Sequence, residues 1–157
     1  MAQRSIHAWL EEYGESHRNA VNKAIHWICV PVIYFCVVGF LASIPPQELP
    51  GIGRIPWAKA VVGAALIGFY LPRSLPLMAG MAVWSYFCLW LSKVLIDRSP
   101  WPLWAICAVL FTLAWIGQFY GHKVEGKKPS FLKDLQFLMI GPAWLMADLY
   151  RRLGISY

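Results

Sequence analysis

Three of the four histidines in this chain lie in two short polar stretches, each bordering an apolar run. HRNAVNKAIH carries His17, Asn22 and His26, and QFYGHKVE carries Gln118, His122 and Glu125. Imidazoles joined by a carboxylate, with coordination positions left open, suit a redox-active iron(II) that holds a substrate and oxygen together. Three imidazoles would equally serve zinc in the hydrolysis of a lipid ester or amide. His26 and His122 on facing helices would also serve as axial ligands in a b-type haem or quinone protein. Each residue has a plainer use as well. A lone histidine at a membrane interface is an anchor, Asn22 and Gln118 bond between helices, and Glu125 balances the lysines of its loop. His7 stays in that plain class.

Spacing limits how these groups can meet. Asn22 and His26 are four residues apart and share a helical face. Nine residues separate His17 from His26, which at about 100° each puts them nearly opposite on one continuous helix. His17 joins the group only if the chain bends between Arg18 and Lys23. His122 and Glu125 are three apart and compatible on one helix, and Gly121 and Gly126 permit a turn beside them.

The elements that position these residues are apolar. Of the 157 residues 59% are hydrophobic and 14% charged, and the mean hydropathy is +0.51. That is more apolar surface than one water-soluble core hides. Lipid leaves no backbone group unpaired, and no alternating strands suggest a barrel, so the patterning predicts an all-α, polytopic membrane helical bundle. We expect one integral membrane domain over residues 1–157, with about four transmembrane helices near 25–44, 56–71, 76–96 and 101–120. An N-terminal interfacial helix precedes them over 5–23, and an interfacial or re-entrant helix broken by Gly141 and Pro142 follows over 135–150. The stretch PPQELPGIGRIP reads as a loop.

The net charge of +6 sits at the ends of the apolar runs rather than in one basic block, which argues for membrane topology and against a nucleic-acid partner. Lysines and arginines concentrate on the side of the two termini, so both termini are expected in the cytoplasm. Cys29, Cys36, Cys88 and Cys107 lack metal-binding spacing and suit apolar packing. The tryptophans, Trp144 among them, mark interface depth. The polar, amphipathic N-terminus has no cleavable signal pattern, so the first span is expected to remain as a mature helix. Residues 56–71 are the weak span, because they are short and carry Lys59. Parity depends on them: an odd number of crossings would put the two histidine motifs on opposite sides of the membrane.

The pattern Tyr13-x3-His17-x4-Asn22-x3-His26-x4-Pro31, followed by Gln118-x3-His122-x2-Glu125-x3-Pro129, resembles the metabolism-of-phytosphingosine family of 2-hydroxy-fatty-acid dioxygenases. The resemblance extends to the short spans and the Gly141-Pro142 segment. It implies an iron(II)-dependent membrane oxidoreductase of fatty acid α-oxidation in sphingolipid breakdown. Such an enzyme shortens a 2-hydroxy fatty acid by one carbon using O2 and releases carbon dioxide. It also implies catalytic, metal-binding roles for His17, His26 and His122, with Glu125 as a further candidate ligand. Tyr13, Asn22 and Gln118 become supporting or substrate-contacting residues. Lys123, Lys127 and Lys128 could steer the carboxylate or simply mark the cytoplasmic side. Four electrons leave the substrate and reduce one oxygen molecule to water, so no haem, flavin or 2-oxoglutarate is demanded. The resemblance places such a protein in the bacterial inner membrane or the endoplasmic reticulum.

Overall fold

The computed structural model describes residues 5–51, 53–126 and 131–157, with the backbone alone described over 131–137. Among these residues the fold is an all-α bundle: α1 (Ile6–Glu15), α2 (Ala20–Ala42), α3 (Trp57–Ala65), α4 (Leu75–Arg98), α5 (Leu103–Glu125) and α6 (Phe131–Leu153). The stretch read as a loop holds a small antiparallel hairpin, β1 (Gln47–Leu49) with β2 (Gly53–Ile55), in which Glu48 faces Arg54. Gly51 and Gly53, at φ of 78° and 90°, supply the left-handed turn that this hairpin needs.

Side-chain capping explains where the helices begin. Ser5 Oγ accepts the Ala8 N–H at 3.2 Å and starts α1, whose Ile6, Leu10 and Tyr13 form one buried face. Asn19 Oδ1 accepts the Val21 N–H at 2.9 Å and starts α2 several residues before the apolar run itself. Hydropathy marks where lipid begins, whereas the cap marks where the helix begins. Asn22 and His26 therefore fall in the first turns of α2.

α2 is the centre of the bundle and packs against α3, α4, α5 and α6. It runs antiparallel to α5, so that Gly39 meets Cys107 at one end and Asn22 meets Gly121 at the other. α4 lies alongside α2, with Tyr34 and Ser85 hydroxyls hydrogen-bonded at 2.6 Å. Cys36, Cys88 and Cys107 are fully buried between these helices as free thiols, in keeping with a packing role. Val83, Tyr86, Trp90, Val109, Leu113 and Ile116 on α4 and α5 are exposed, the apolar exterior that a lipid-facing bundle presents.

Among the described residues, three helices are long and apolar enough to cross a membrane: α2, α4 and α5. The weak second span, Trp57–Tyr70, is shorter. At 14 residues it reaches roughly 21 Å, against about 30 Å of hydrocarbon. It nevertheless returns the chain to the end of the bundle where α6 packs. A π turn at Leu66–Tyr70 closes α3, and the buried Tyr70 hydroxyl donates to the Met139 carbonyl of α6 at 2.6 Å. Just beyond, the Pro76 carbonyl accepts from Tyr150 of α6 at 2.8 Å. The two histidine motifs thus meet although the second apolar segment falls short of the other three.

α6 continues through Gly141 and Pro142 as one helix. Gly141 lies at a close approach: a Cβ there would sit 3.2 Å from Tyr13 Oη and 3.5 Å from Val30 Cγ1, so the Tyr13 hydroxyl would have to give by a few tenths of an ångström.

Candidate metal centre

The bend that His17 needs is present. α1 ends at Glu15, the His17 N–H turns back to the Gly14 carbonyl at 3.0 Å, and α2 restarts at the Asn19 cap. His17 thereby comes over the first turns of α2, with its ring centroid 4.2 Å from that of His26. His122, in the last turns of α5, completes the group at 5.4 Å from His17 and 5.2 Å from His26. All three are buried, at 3%, 1% and 8% exposure. One ligand atom from each lies within 4.8 Å of the others.

Two of the rings are oriented by helical carbonyls. His17 Nδ1 lies 2.6 Å from the Tyr13 carbonyl and His26 Nδ1 lies 2.9 Å from the Asn22 carbonyl, each four residues earlier. With the proton held at Nδ1 by these acceptors, Nε2 of both rings carries the lone pair that a metal requires. Among the described residues, His17 Nε2 and His122 Nδ1 are buried without a hydrogen-bond partner. Leaving such atoms unmet costs about 1–3 kcal/mol each, so the cluster fits a group that accepts their lone pairs. Burial pushes His17 down to about 4, against the pull of the Tyr13 carbonyl, with His122 adding to the depression. The imidazole is therefore neutral at pH 7 and ready to ligate.

The surrounding residues fix this geometry. Tyr13 stacks on His17 with centroids 4.2 Å apart and planes 11° from parallel. Gln118 is buried and lines the cavity beside His26 and His122. Asn22 is fully buried and donates from Nδ2 to the Ser16 carbonyl at 3.1 Å and to Glu125 at 3.0 Å. Glu125 lies outside the three-imidazole group. Its carboxylate accepts the Arg18 N–H at 3.0 Å and the Asn19 N–H at 2.9 Å, besides the Asn22 amide. These are the unpaired donors at the bend and at the start of α2, where a negative charge is favoured. Glu125 ties α5 to the bend that delivers His17.

Lys123 is exposed, and Lys127 and Lys128 fall outside the described residues. His7 is exposed and stacks on Tyr157, with centroids 5.6 Å apart. Trp144 is not a surface marker. It is 6% exposed and packs on both Tyr13 and His17, each at 5.5 Å between centroids. Only its place two residues after Pro142 distinguished it from the other tryptophans. Gly121 is likewise revealed by packing, because Asn22 Oδ1 occupies the space of a side chain there.

A cavity of about 40 Å³ adjoins His26 and His122, with Tyr13, Gln118, Val30 and Ile33 in its wall. That is room for a few water-sized groups.

Comparison with known proteins gives the family. The family model described as 2-hydroxy-palmitic acid dioxygenase Mpo1-like matches residues 3–153. The 2-hydroxy-palmitic acid dioxygenase MPO1 of Saccharomyces cerevisiae is 31% identical over 142 residues, covering 88% of this chain and 75% of the yeast protein. No solved structure matches. Matched from residue 3 to residue 153, the chain belongs to the Mpo1-like family.

Proposed function

We propose that this protein is an iron(II)-dependent dioxygenase of the membrane that converts a 2-hydroxy fatty acid to the acid one carbon shorter. The observation that carries the reading is the convergence of three buried imidazoles, two oriented through Nδ1. Family membership and the name of the yeast relative support a dioxygenase acting on a 2-hydroxy fatty acid, and the loss of one carbon as carbon dioxide is part of the proposal. The overall change balances without a further reductant: R–CH(OH)–COOH and O2 give R–COOH, CO2 and H2O.

When bound, iron(II) supplies a Lewis acid for the carboxylate and 2-hydroxyl and an electron source for oxygen. His17, His26 and His122 hold it, leaving positions open for both reactants. The Tyr13 and Asn22 carbonyls keep the Nδ1 protons in place and the rings aimed. Tyr13 and Trp144 cover the His17 ring and exclude water from that side. Gln118 places an amide in the cavity wall, where it can bond the substrate's oxygens. Glu125 holds the bend and is a positioning residue. The exposed Lys123 draws the carboxylate to this end of the bundle, a role we extend by charge alone to Lys127 and Lys128. The whole chain forms one membrane domain with both termini on the cytoplasmic side.

The test is to remove iron anaerobically and restore single metals. Iron(II) alone should recover oxygen uptake and carbon dioxide release in equal amounts from a 2-hydroxy fatty acid. Recovery by zinc, or turnover without oxygen, would overturn the proposal in favour of hydrolysis. His17→Ala, His26→Ala and His122→Ala should each lose iron, and full metal content in all three would refute the ligand set.

A further inference from the structure

The cavity beside His26 and His122 holds roughly three water-sized groups in its 40 Å³. Its wall is polar at Tyr13, Gln118 and the imidazoles, and apolar at Val30, Ile33 and Leu138. A larger cavity of about 220 Å³, almost entirely apolar, lies farther along α6 among Trp27, Met81, Trp84 and Leu145. Pro142 borders both. Beside it, Gly141 packs close to Val30 of α2 and Tyr13 of α1, which themselves line the smaller cavity. A chain leaving the imidazoles meets this packed contact on the side of the larger cavity. In the other direction it meets apolar surface. Ile33 forms a separate apolar cluster with Cys29 and Ala114, flanked by Trp115, Phe111 and Leu138 along the α2–α5 seam.

Resting on the reading of the protein as a 2-hydroxy fatty acid dioxygenase, we infer that it encloses only the reacting head of its substrate. The acyl chain leaves past Ile33 and Leu138 along the α2–α5 seam toward the apolar exterior, and not into the 220 Å³ cavity. Ile33 is then the residue over which every long tail passes, and the protein does not measure tail length. A pocket that encloses and measures a chain discriminates by roughly tenfold or more per methylene, whereas an open exit does not.

The test uses the iron-loaded full chain in mixed micelles, with each acid at a fixed mole fraction so that partitioning does not enter. Across 2-hydroxyoctanoic, 2-hydroxydodecanoic and 2-hydroxyhexadecanoic acids, kcat/KM should vary by less than about threefold. Leu145→Trp, which fills the larger cavity, should leave that profile unchanged. Ile33→Trp should cut turnover of 2-hydroxyhexadecanoic acid by about tenfold or more relative to that of 2-hydroxybutanoic acid, which has too little chain to reach along the exit. Iron content and Tm show whether the Ile33 variant has folded, and Leu138→Trp asks the same question from α6. A sharp length optimum that Leu145→Trp shifts would overturn this inference alone. Equal loss for the short and long acids in folded Ile33→Trp and Leu138→Trp would do the same. Failure of wild-type protein to turn over any 2-hydroxy acid would instead remove the reaction on which it rests.

Discussion

A single added methyl group at Gly121 should separate the two helices that bring the histidines together. The new Cβ would fall on Asn22 Oδ1 and lie 3.5 Å from Ile25 Cγ2. Asn22 cannot swing aside cheaply, because it is fully buried and its amide is bonded to Ser16 at 3.1 Å and Glu125 at 3.0 Å. Relief to an ordinary contact therefore requires α5 to move from α2 by roughly 1 Å at this level. Overpacking of this kind costs about 1–3 kcal/mol. Metal sites tolerate ligand displacements of only about 0.2 Å, and His122 is the next residue along α5. We expect Gly121→Ala to lose roughly 10–100-fold in iron(II) affinity, the effect typical of disturbing the groups that orient metal ligands. Competitive metal titration of the metal-free protein measures this, with Tm followed in parallel. Gly63→Ala is the control, since a side chain there meets nothing within 4 Å, and it should leave iron affinity unchanged while raising Tm slightly through helix propensity. Wild-type iron affinity in Gly121→Ala would refute the claim that the Asn22–Gly121 contact sets the distance between the ligands.

Glu125 separates ligation from positioning. Glu125→Gln keeps acceptor geometry for one oxygen and should retain iron stoichiometry while losing roughly 1 kcal/mol of stability, whereas loss of iron at unchanged stability would make it a ligand. The His17 value of about 4, below the ordinary 6.5, means that on acidification the unfolded chain takes up this proton before the folded one. Stability of the metal-free protein attributable to His17 is thus present above about pH 6.5 and lost toward pH 4, a change on the order of 3 kcal/mol. Thermal melts across that range should show the fall in wild type and a flatter profile in His17→Gln, and identical profiles would count against a buried neutral imidazole. Tyr70→Phe removes only the bond to the Met139 carbonyl and should lower stability by about 1 kcal/mol or somewhat more, with iron affinity preserved. Reduced iron binding would show that the anchoring of α6 shapes the centre directly.

Much of the architecture is legible in the residues alone, because lipid imposes simple conditions. Apolar runs of sufficient length must be helical there, so α2, α4 and α5 stand out by hydropathy, and the four-residue spacing of Asn22 and His26 places them on one face. The demand for a bend between His17 and His26 also follows from spacing, since a continuous helix would set them on opposite sides. Tertiary structure decided the rest. Whether the chain returned to the histidine end depended on α3, where hydropathy sees a short segment and cannot see Tyr70 tying the π turn to α6. Glu125 shows the same limit: from spacing it reads first as a counter-charge to its loop lysines and, by resemblance, as a candidate ligand, and only the backbone donors of Arg18 and Asn19, more than a hundred residues away in the chain, reveal what it is bonded to. Residue type and spacing along one helix name the groups capable of chemistry. Which of them face one another, and which brace the others, is settled by contacts between helices, and those depend on packing that no local spacing encodes.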